Sequence, residues 1–285
     1  MIADNVHKIL NSNNLFAKKK YGQNFLMDKN VLNKIIEISN VTKEDTIIEI
    51  GPGLGCLTEF LAIHAKKVIC YEIDLDMVNL LKDLLKDYDN IIINYQDFLK
   101  ADLTNYDTNE KCKHVKVVAN LPYYITTPII FKLLSETKIE QFTFMVQKEV
   151  GERLTGKPNT KDYNSLSVAM KYKTDSKIAC KVSPNSFYPA PNVDSVLLVV
   201  KALKNDCSLN YQANFLKFVQ EIFEQRRKTI VNNLNEKYGK NKEELAKILV
   251  DNGFSANVRA ESLDVKEIEK IYNLVTNDQR IVEGI

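Results

Sequence analysis

A chain of 285 residues, 45% hydrophobic and 27% charged, is long and apolar enough to close a core, and its composition is far from that of disordered or collagen-like sequences. Its 39 Lys and Arg nearly balance 37 Asp and Glu, so the net charge of +2 does not single out a polyanionic partner. Any nucleic-acid contact has to rest on local clusters.

In chain order, the apolar residues Val31, Leu32, Ile35, Ile36 and Ile38 recur at helical spacing between Asp28 and Ser39, and a polar turn then leads into the buried strand Thr46 to Ile50. The alternation continues with a helix over 55–64, a strand over 67–73, a helix over 75–85, and strands over 91–95 and 115–119. A helix over 127–135 and a strand over 142–147 follow. Five strands with helical crossovers predict an α/β fold, a Rossmann-like, doubly wound and mostly parallel sheet whose ligand crevice lies at the carboxyl ends of the strands. Beyond it, helices are expected over 148–154 and 163–172, and the β-like runs 177–182 and 193–201 predict an antiparallel hairpin at a sheet edge. Pro184, Pro189 and Pro191 stiffen the loop between those runs. After a polar linker over 205–210 only helical periodicity remains, which predicts two domains: 1–204, and a small all-α domain over 205–285.

Several chemistries are excluded along the way. The five cysteines form no C-x-x-C pair, and none of the three histidines stands beside a nucleophile. Neither a zinc site, a disulfide framework, triad hydrolysis nor His-based metal catalysis is expected; the prediction is no metal and a reducing, cytoplasmic compartment. With no apolar leader and no apolar run of about 18 residues, no signal peptide or membrane span is expected.

Gly51-Pro52-Gly53-Leu54-Gly55 follows the first strand and opens a helix, where missing side chains let a ligand approach the backbone. A dinucleotide fingerprint would place its third glycine at Cys56, and Pro52 removes an amide that could serve a pyrophosphate, so the ligand is expected to lack phosphates. Glu72, 21 residues after Gly51 at the end of the second strand, stands where a carboxylate can accept both ribose hydroxyls of an adenosine. Asp97, after the third strand, can serve a base edge. The glycines alone also fit a tight turn flanked by two surface acids; the combination favours a ligand.

Asn120-Leu121-Pro122-Tyr123 closes the fourth strand. An exocyclic adenine amine is a poor nucleophile because its lone pair is delocalised, so a methylating site gains from acceptors that hold its hydrogens and aim the nitrogen. The Asn120 side-chain oxygen and the Leu121 carbonyl can be those acceptors. Pro122 fixes the turn, and Tyr123 offers a face for an extruded base. Taken alone, the same four residues also fit an ordinary strand-ending turn.

With these segments in this order, the chain resembles the KsgA/RsmA small-subunit ribosomal RNA adenine dimethyltransferases, relatives of the Dim proteins and the Erm resistance methyltransferases. The resemblance runs from about Lys18 to Leu234. It is carried by Lys19-Lys20-Tyr21-Gly22-Gln23-Asn24-Phe25-Leu26, by Glu49-Ile50 with the glycine loop, by Asn120-Leu121-Pro122-Tyr123, by Phe187-Tyr188-Pro189-Ala190-Pro191-Asn192-Val193-Asp194-Ser195, and by Gln225-Arg226-Arg227-Lys228-Thr229. It implies a class I methyltransferase fold with S-adenosylmethionine as donor and S-adenosylhomocysteine as product. Asn24, Leu26, Gly51, Glu72, Asp97 and Asn120 match the family's cofactor contacts, and their neighbours Gln23, Gly53, Ile73 and Phe98 join the expected set. Phe187 matches an aromatic expected to stack on the target base opposite Tyr123. The implied substrate is a pair of adjacent adenosines in a hairpin loop near the 3′ end of small-subunit rRNA, each dimethylated at N6 during subunit assembly. Tyr21 stands where Phe is usual, Tyr124 and Thr126 where Asn and Ser are usual, and Asn164-Ser165 where Gly-Arg is usual.

Two basic triplets, Lys18-Lys19-Lys20 and Arg226-Arg227-Lys228, the second expected on a helix of the small domain, are candidate phosphate grips; either also fits a solvated face. Two other readings stay open. One is an Erm-type enzyme acting on large-subunit rRNA, which Leu121 and Thr127-Pro128 disfavour; the other is a non-catalytic RNA-binding assembly or transcription factor of the same fold. A monomer is the default expectation.

Overall fold

The computed structural model describes residues 1–13, 15–18, 21–103, 114–135, 139, 141–203 and 207–277. Strand β2 (Asp45–Ile50) is buried along its whole length, as an apolar run flanked by parallel neighbours requires. It pairs in parallel with β3 (Lys67–Glu72) on one side and β5 (His114–Asn120) on the other. β4 (Ile91–Tyr95) adds in parallel beyond β3, and β6 (Gln141–Gln147) beyond β5. β9 (Ser195–Ala202) then pairs antiparallel with β6, and β7 (Thr174–Val182) closes the edge, giving the order β4-β3-β2-β5-β6-β9-β7. The chain leaves β2 toward β3 and β4 and returns on the far side through β5 and β6. The carboxyl ends of β2 and β5 therefore flank the switch point of a doubly wound, mostly parallel sheet, as expected.

The helices supply the covering faces. In α2 (Lys29–Ser39) the Asp28 side chain caps the first turn by accepting from the amides of Asn30 and Val31, and Leu32, Ile35 and Ile36 face the core. α3 (Cys56–His64) is almost wholly buried, and α4 (Leu75–Leu84) is capped by Asp74. α5 (Thr126–Ser135) connects β5 to β6. Two features are not predicted from the sequence. Ile2–Asn5 and α1 (Val6–Ser12) form a short helical arm whose Ile2, Val6 and Leu10 join the core; the Ile2 amide donates to Glu59 at 2.8 Å. A two-stranded ladder joins β1 (Phe25–Leu26) to β8 (Phe187–Tyr188), Leu26 opposite Phe187.

The chain divides into two compact units: Met1–Gly151 with Lys177–Ala202, and Glu152–Ser176 with the chain from Leu203 onward. Residues 152–176, expected in the first domain, cluster with the helical unit instead. The reason is apolar: Tyr163, Val168 and Tyr172, around α7 (Ser165–Lys173), are buried with Phe215, Phe218 and Tyr272 of α8 (Leu209–Ile222) and α11 (Val265–Thr276). The Tyr172 and Phe215 rings lie 4.5 Å apart, and the Tyr163 hydroxyl donates to the Leu263 carbonyl at 2.8 Å. α9 (Ile230–Leu234) and α10 (Lys242–Asp251) complete that unit. Among the described residues no helix is long and apolar enough to cross a membrane.

Candidate active site

A cleft enclosing about 920 Å³ of free space, part of it open to solvent, lies at the switch point. Its floor is the glycine loop. Gly51 (φ +65°) and Gly53 (φ +58°) sit in the left-handed region, and a Cβ on Gly53 would lie 3.0 Å from the Phe25 ring. The Gly53 amide donates to Glu72 at 3.2 Å. Glu72, 6% exposed, also accepts from the amides of Ile73 (2.8 Å) and Asp74 (2.9 Å). Burial raises its carboxyl above the ordinary range, and these three amides oppose the shift. Asp97 caps the turn Phe98–Lys100, one oxygen accepting from the Leu99 amide at 2.9 Å. Glu72, Ile73, Asp97 and Phe98 all line the cleft.

Glu49 lies beneath the loop, fully buried, with the Cys70 thiol donating to it at 3.7 Å. Desolvation, above all, pushes its carboxyl up to about 8. Between the ordinary 4.5 and about 8 the folded chain keeps a proton that the unfolded chain has released, so this group's contribution to stability falls as pH rises through that window. Chemical denaturation of the wild type and of Glu49→Gln, at pH 5 and pH 8, checks this. The wild type should lose stability relative to the variant by a few kcal/mol, on the order of 3–5 for a shift of this size; a constant difference would contradict it.

At the end of β5 the Asn120 amide nitrogen donates to the Asn24 carbonyl at 3.1 Å. Only the NH₂ end of an amide can serve a carbonyl, so this bond fixes the orientation of the side chain and leaves its oxygen as an acceptor. The Leu121 amide donates to the Met145 carbonyl at 3.1 Å, and the Pro122 carbonyl accepts from the Ile125 amide and the Thr126 hydroxyl, which locks the turn. The Tyr123 hydroxyl is paired with Ser195 Oγ at 2.9 Å, holding the ring in one orientation at the cleft wall.

The N-terminal segment forms the remaining wall. Lys18 Nζ pairs with Asp74 (2.7 Å) and Asp76 (2.5 Å), both carboxylates raising the ammonium above its ordinary value. The Lys18 amide donates to Gln23 Oε1 at 2.8 Å, and Gln23 Nε2 donates to Asp74 at 3.0 Å. This clasp ties Tyr21–Leu26 to the end of β3. It corrects one expectation, since the Lys18 ammonium is engaged within the chain instead of facing phosphates; Gln23, expected at the cofactor, lines the cleft with both polar ends bracing the segment. Asn24 and Leu26 line the cleft as expected. Lys19 and Lys20 lie outside the described residues.

Phe187 is not brought into the cleft. It is 2% exposed and packs in the core opposite Leu26, so its ring offers no face to a base; apolar burial in the β1–β8 ladder outcompetes exposure in the proline-rich loop. Arg226–Lys228 lie in the turn after α8, not on a helix. Arg226 donates to the carbonyls of Lys161 (2.5 Å) and Thr160 (3.0 Å) and pairs with Glu261 (2.8 Å), so it braces a loop of its own unit. Arg227 and Lys228 are exposed. Tyr21, Gln96 and Tyr124 line the cleft without having been singled out as site residues. The position of Gln96 beside Asp97 was the available signal for that residue.

The model of the family described as "Ribosomal RNA adenine dimethylase" matches residues 14–277. A relative named ribosomal RNA small subunit methyltransferase A from Leuconostoc mesenteroides is 42% identical over 281 residues, covering 96% of this chain and 95% of that protein. One of the same name from Geobacillus kaustophilus is 45% identical over 263 residues, covering 90% of each. Among solved structures, a dimethyladenosine transferase from Plasmodium falciparum superposes with a TM-score of 0.70 at 25% identity, over 87% of this chain and 95% of that one. The 23S rRNA methyltransferase ErmE shares the fold, with a TM-score of 0.68 at 24% identity, over 88% of this chain and 99% of that one. With the family model spanning nearly all of a chain whose cleft places an oriented Asn-Leu-Pro-Tyr turn beside a glycine loop, this protein belongs to the ribosomal RNA adenine dimethylase family and is an rRNA adenine dimethyltransferase.

Proposed function

We propose that this chain transfers methyl groups from S-adenosylmethionine to the N6 amines of two adjacent adenosines in a hairpin loop near the 3′ end of small-subunit rRNA, as a cytoplasmic monomer acting on the assembling subunit. The observation that carries the chemistry is the Asn120 amide, turned by the Asn24 carbonyl so that its oxygen is the acceptor. The names of the relatives support the choice of subunit.

The cleft suits the cofactor: Gly51 and Gly53 allow close approach to the backbone, Glu72 offers carboxylate acceptors for ribose hydroxyls, and Asp97 and Phe98 border a base-sized space. S-adenosylmethionine, when bound, supplies a methyl group activated by its sulfonium. Asn120 Oδ1 and the Leu121 carbonyl accept the two amino hydrogens of adenine, which draws electron density toward N6 and fixes its lone pair in direction. Tyr123, pinned through Ser195, stacks on the extruded base. The surplus proton of the alkylated nitrogen passes to water. Burial raises the Glu49 carboxyl and favours its neutral form beneath the loop, and the proposed transfer assigns it no proton.

The helical unit contributes to RNA binding through its exposed cations. Arg227→Ala with Lys228→Ala should weaken RNA association and reduce the slope of log affinity against log salt by about 1–2, two phosphate contacts' worth, with cofactor affinity unchanged; filter binding across a salt series checks it. Arg226→Ala should instead loosen the Thr160–Lys161 loop, seen as faster amide exchange there. An unchanged RNA affinity in the double variant would overturn this interface. The substrate itself is tested by offering labelled S-adenosylmethionine with unmethylated small subunits or with protein-free large-subunit rRNA. Label on the small subunit supports the reading, label confined to large-subunit rRNA moves the chain to Erm-type chemistry, and RNA binding without label points to a non-catalytic factor.

A further inference from the structure

Two tyrosines follow one another at the end of β5, and they serve different sides of the cleft. The Tyr123 hydroxyl is anchored on Ser195, at the start of β9. Tyr124, 49% exposed, turns the other way, toward the N-terminal segment: a Cβ built on Gly22 would lie 3.6 Å from its ring. Gly22 has φ +57° and lines the cleft with Tyr124. Tyr124 lines the same cleft as Glu72 and Asp97, the acids at the ends of β3 and β4, and burial above all raises its hydroxyl. The ring thus reaches from the strand-end turn on one wall to the clasped segment on the other, in the cleft that the two acids also line.

We propose that Tyr124 is a positioning residue for the cofactor, its ring covering the nucleoside half over Glu72 and Asp97 and, through Gly22, holding the N-terminal segment closed on it. This rests on the function proposed above. The half-exposed ring has a face left to bury, and a nucleoside base is the flat apolar partner that an aromatic face takes best. Its neighbours point to the cofactor instead of the target base, since the ring faces Gly22 in the segment that carries Asn24 and Leu26, while the acceptors for an adenine amine, Asn120 and Leu121, precede the differently aimed Tyr123. Covering the nucleoside slows cofactor escape and leaves the reacting nitrogen untouched, so the effect belongs in binding.

The test is calorimetric titration of the full chain with S-adenosylmethionine and with S-adenosylhomocysteine, for the wild type, Tyr124→Phe, Tyr124→Asn and Tyr124→Ala, together with steady-state kinetics on unmethylated small subunits. Tyr124→Phe should bind within about twofold of wild type, because the ring is kept. Tyr124→Asn and Tyr124→Ala should bind both cofactor forms about tenfold or more weakly, as the loss of one aromatic stack implies. The loss should appear in KM for the cofactor, with kcat and RNA affinity held. Wild-type affinity in Tyr124→Ala overturns the inference, and so does a loss confined to RNA affinity or kcat, which would place the ring on the target base. If the wild type binds neither cofactor form, the proposed function falls and takes this inference with it.

Discussion

Asn120→Ala is expected to lower the single-turnover rate at saturating cofactor by about 10²–10³-fold, the cost typical of removing one preorganised polar group from a reacting centre. The side chain does two things at once. Its nitrogen is committed to the Asn24 carbonyl, so its oxygen is presented without reorganisation at the moment of reaction. Alanine removes both the acceptor and the tie to the N-terminal segment. Asn120→Asp tests the second function: the carboxylate keeps acceptors but sets a negative oxygen against the Asn24 carbonyl, so activity should remain low. Cofactor affinity should fall less than the rate in both variants, because Glu72 and the glycine loop are untouched even though the tie to Asn24 is lost, and RNA affinity should be retained. A rate within tenfold of wild type in Asn120→Ala would remove this residue from the chemistry.

The second large effect lies at the opposite end of the same two strands. Lys116 of β5 and Asp45 of β2 form an ion pair of 2.8 Å, with side chains 11% and 1% exposed. Lys116 also donates to the Asn40 carbonyl at 2.7 Å, while Asp45 accepts from the Thr42 amide and hydroxyl. Removing one partner leaves a buried, unpaired charge, so Lys116→Ala should lower unfolding free energy by about 3–5 kcal/mol. Replacing both partners with apolar residues of similar size, as in Asp45→Leu with Lys116→Met, should recover most of that loss. Urea denaturation of the three variants measures it. The pair also bears on the site: it secures the register that sets Asp45 opposite His114 and Ile48 opposite Val117, and a one-residue slip would turn every following side chain to the other face. Lys116→Ala should therefore lose activity on warming at the temperature where its melting begins, well below that of wild type. Equal stability of Lys116→Ala and wild type would contradict this role.

Periodicity made the sheet legible. Apolar runs such as Ile47-Ile48 and helical spacing such as Leu32, Ile35 and Ile36 are consequences of burial on two faces or one, and each fell within a few residues of its element. The glycine loop, Glu72, Asp97 and Asn120 were legible because their residue types follow strand ends directly, and strand ends meet at the crevice. What escaped depends on partners distant in sequence. β1 and β8 are two residues each and exist only by pairing with one another, and α1 is too short to stand without its contacts to the core. Phe187 stands in a loop whose composition suits exposure, and only the ladder buries it. Lys18 and Arg226 looked alike as members of basic triplets; their carboxylate and carbonyl partners, Asp74, Asp76, Glu261 and the Thr160–Lys161 backbone, lie 35 or more residues away. A charge cluster shows the donors and not their acceptors.

In the proposed reaction the Asn-Leu-Pro-Tyr turn directs methyl transfer to adenine N6 at a defined pair of small-subunit nucleotides. The most direct measurement is mass spectrometry of nuclease fragments from unmethylated small subunits incubated with the protein and S-adenosylmethionine. Four added methyl groups on one fragment near the 3′ end, two on each of two adjacent adenosines, are the predicted result. Methylation on any other nucleotide or ring position, or none with cofactor and subunit both bound, would contradict it.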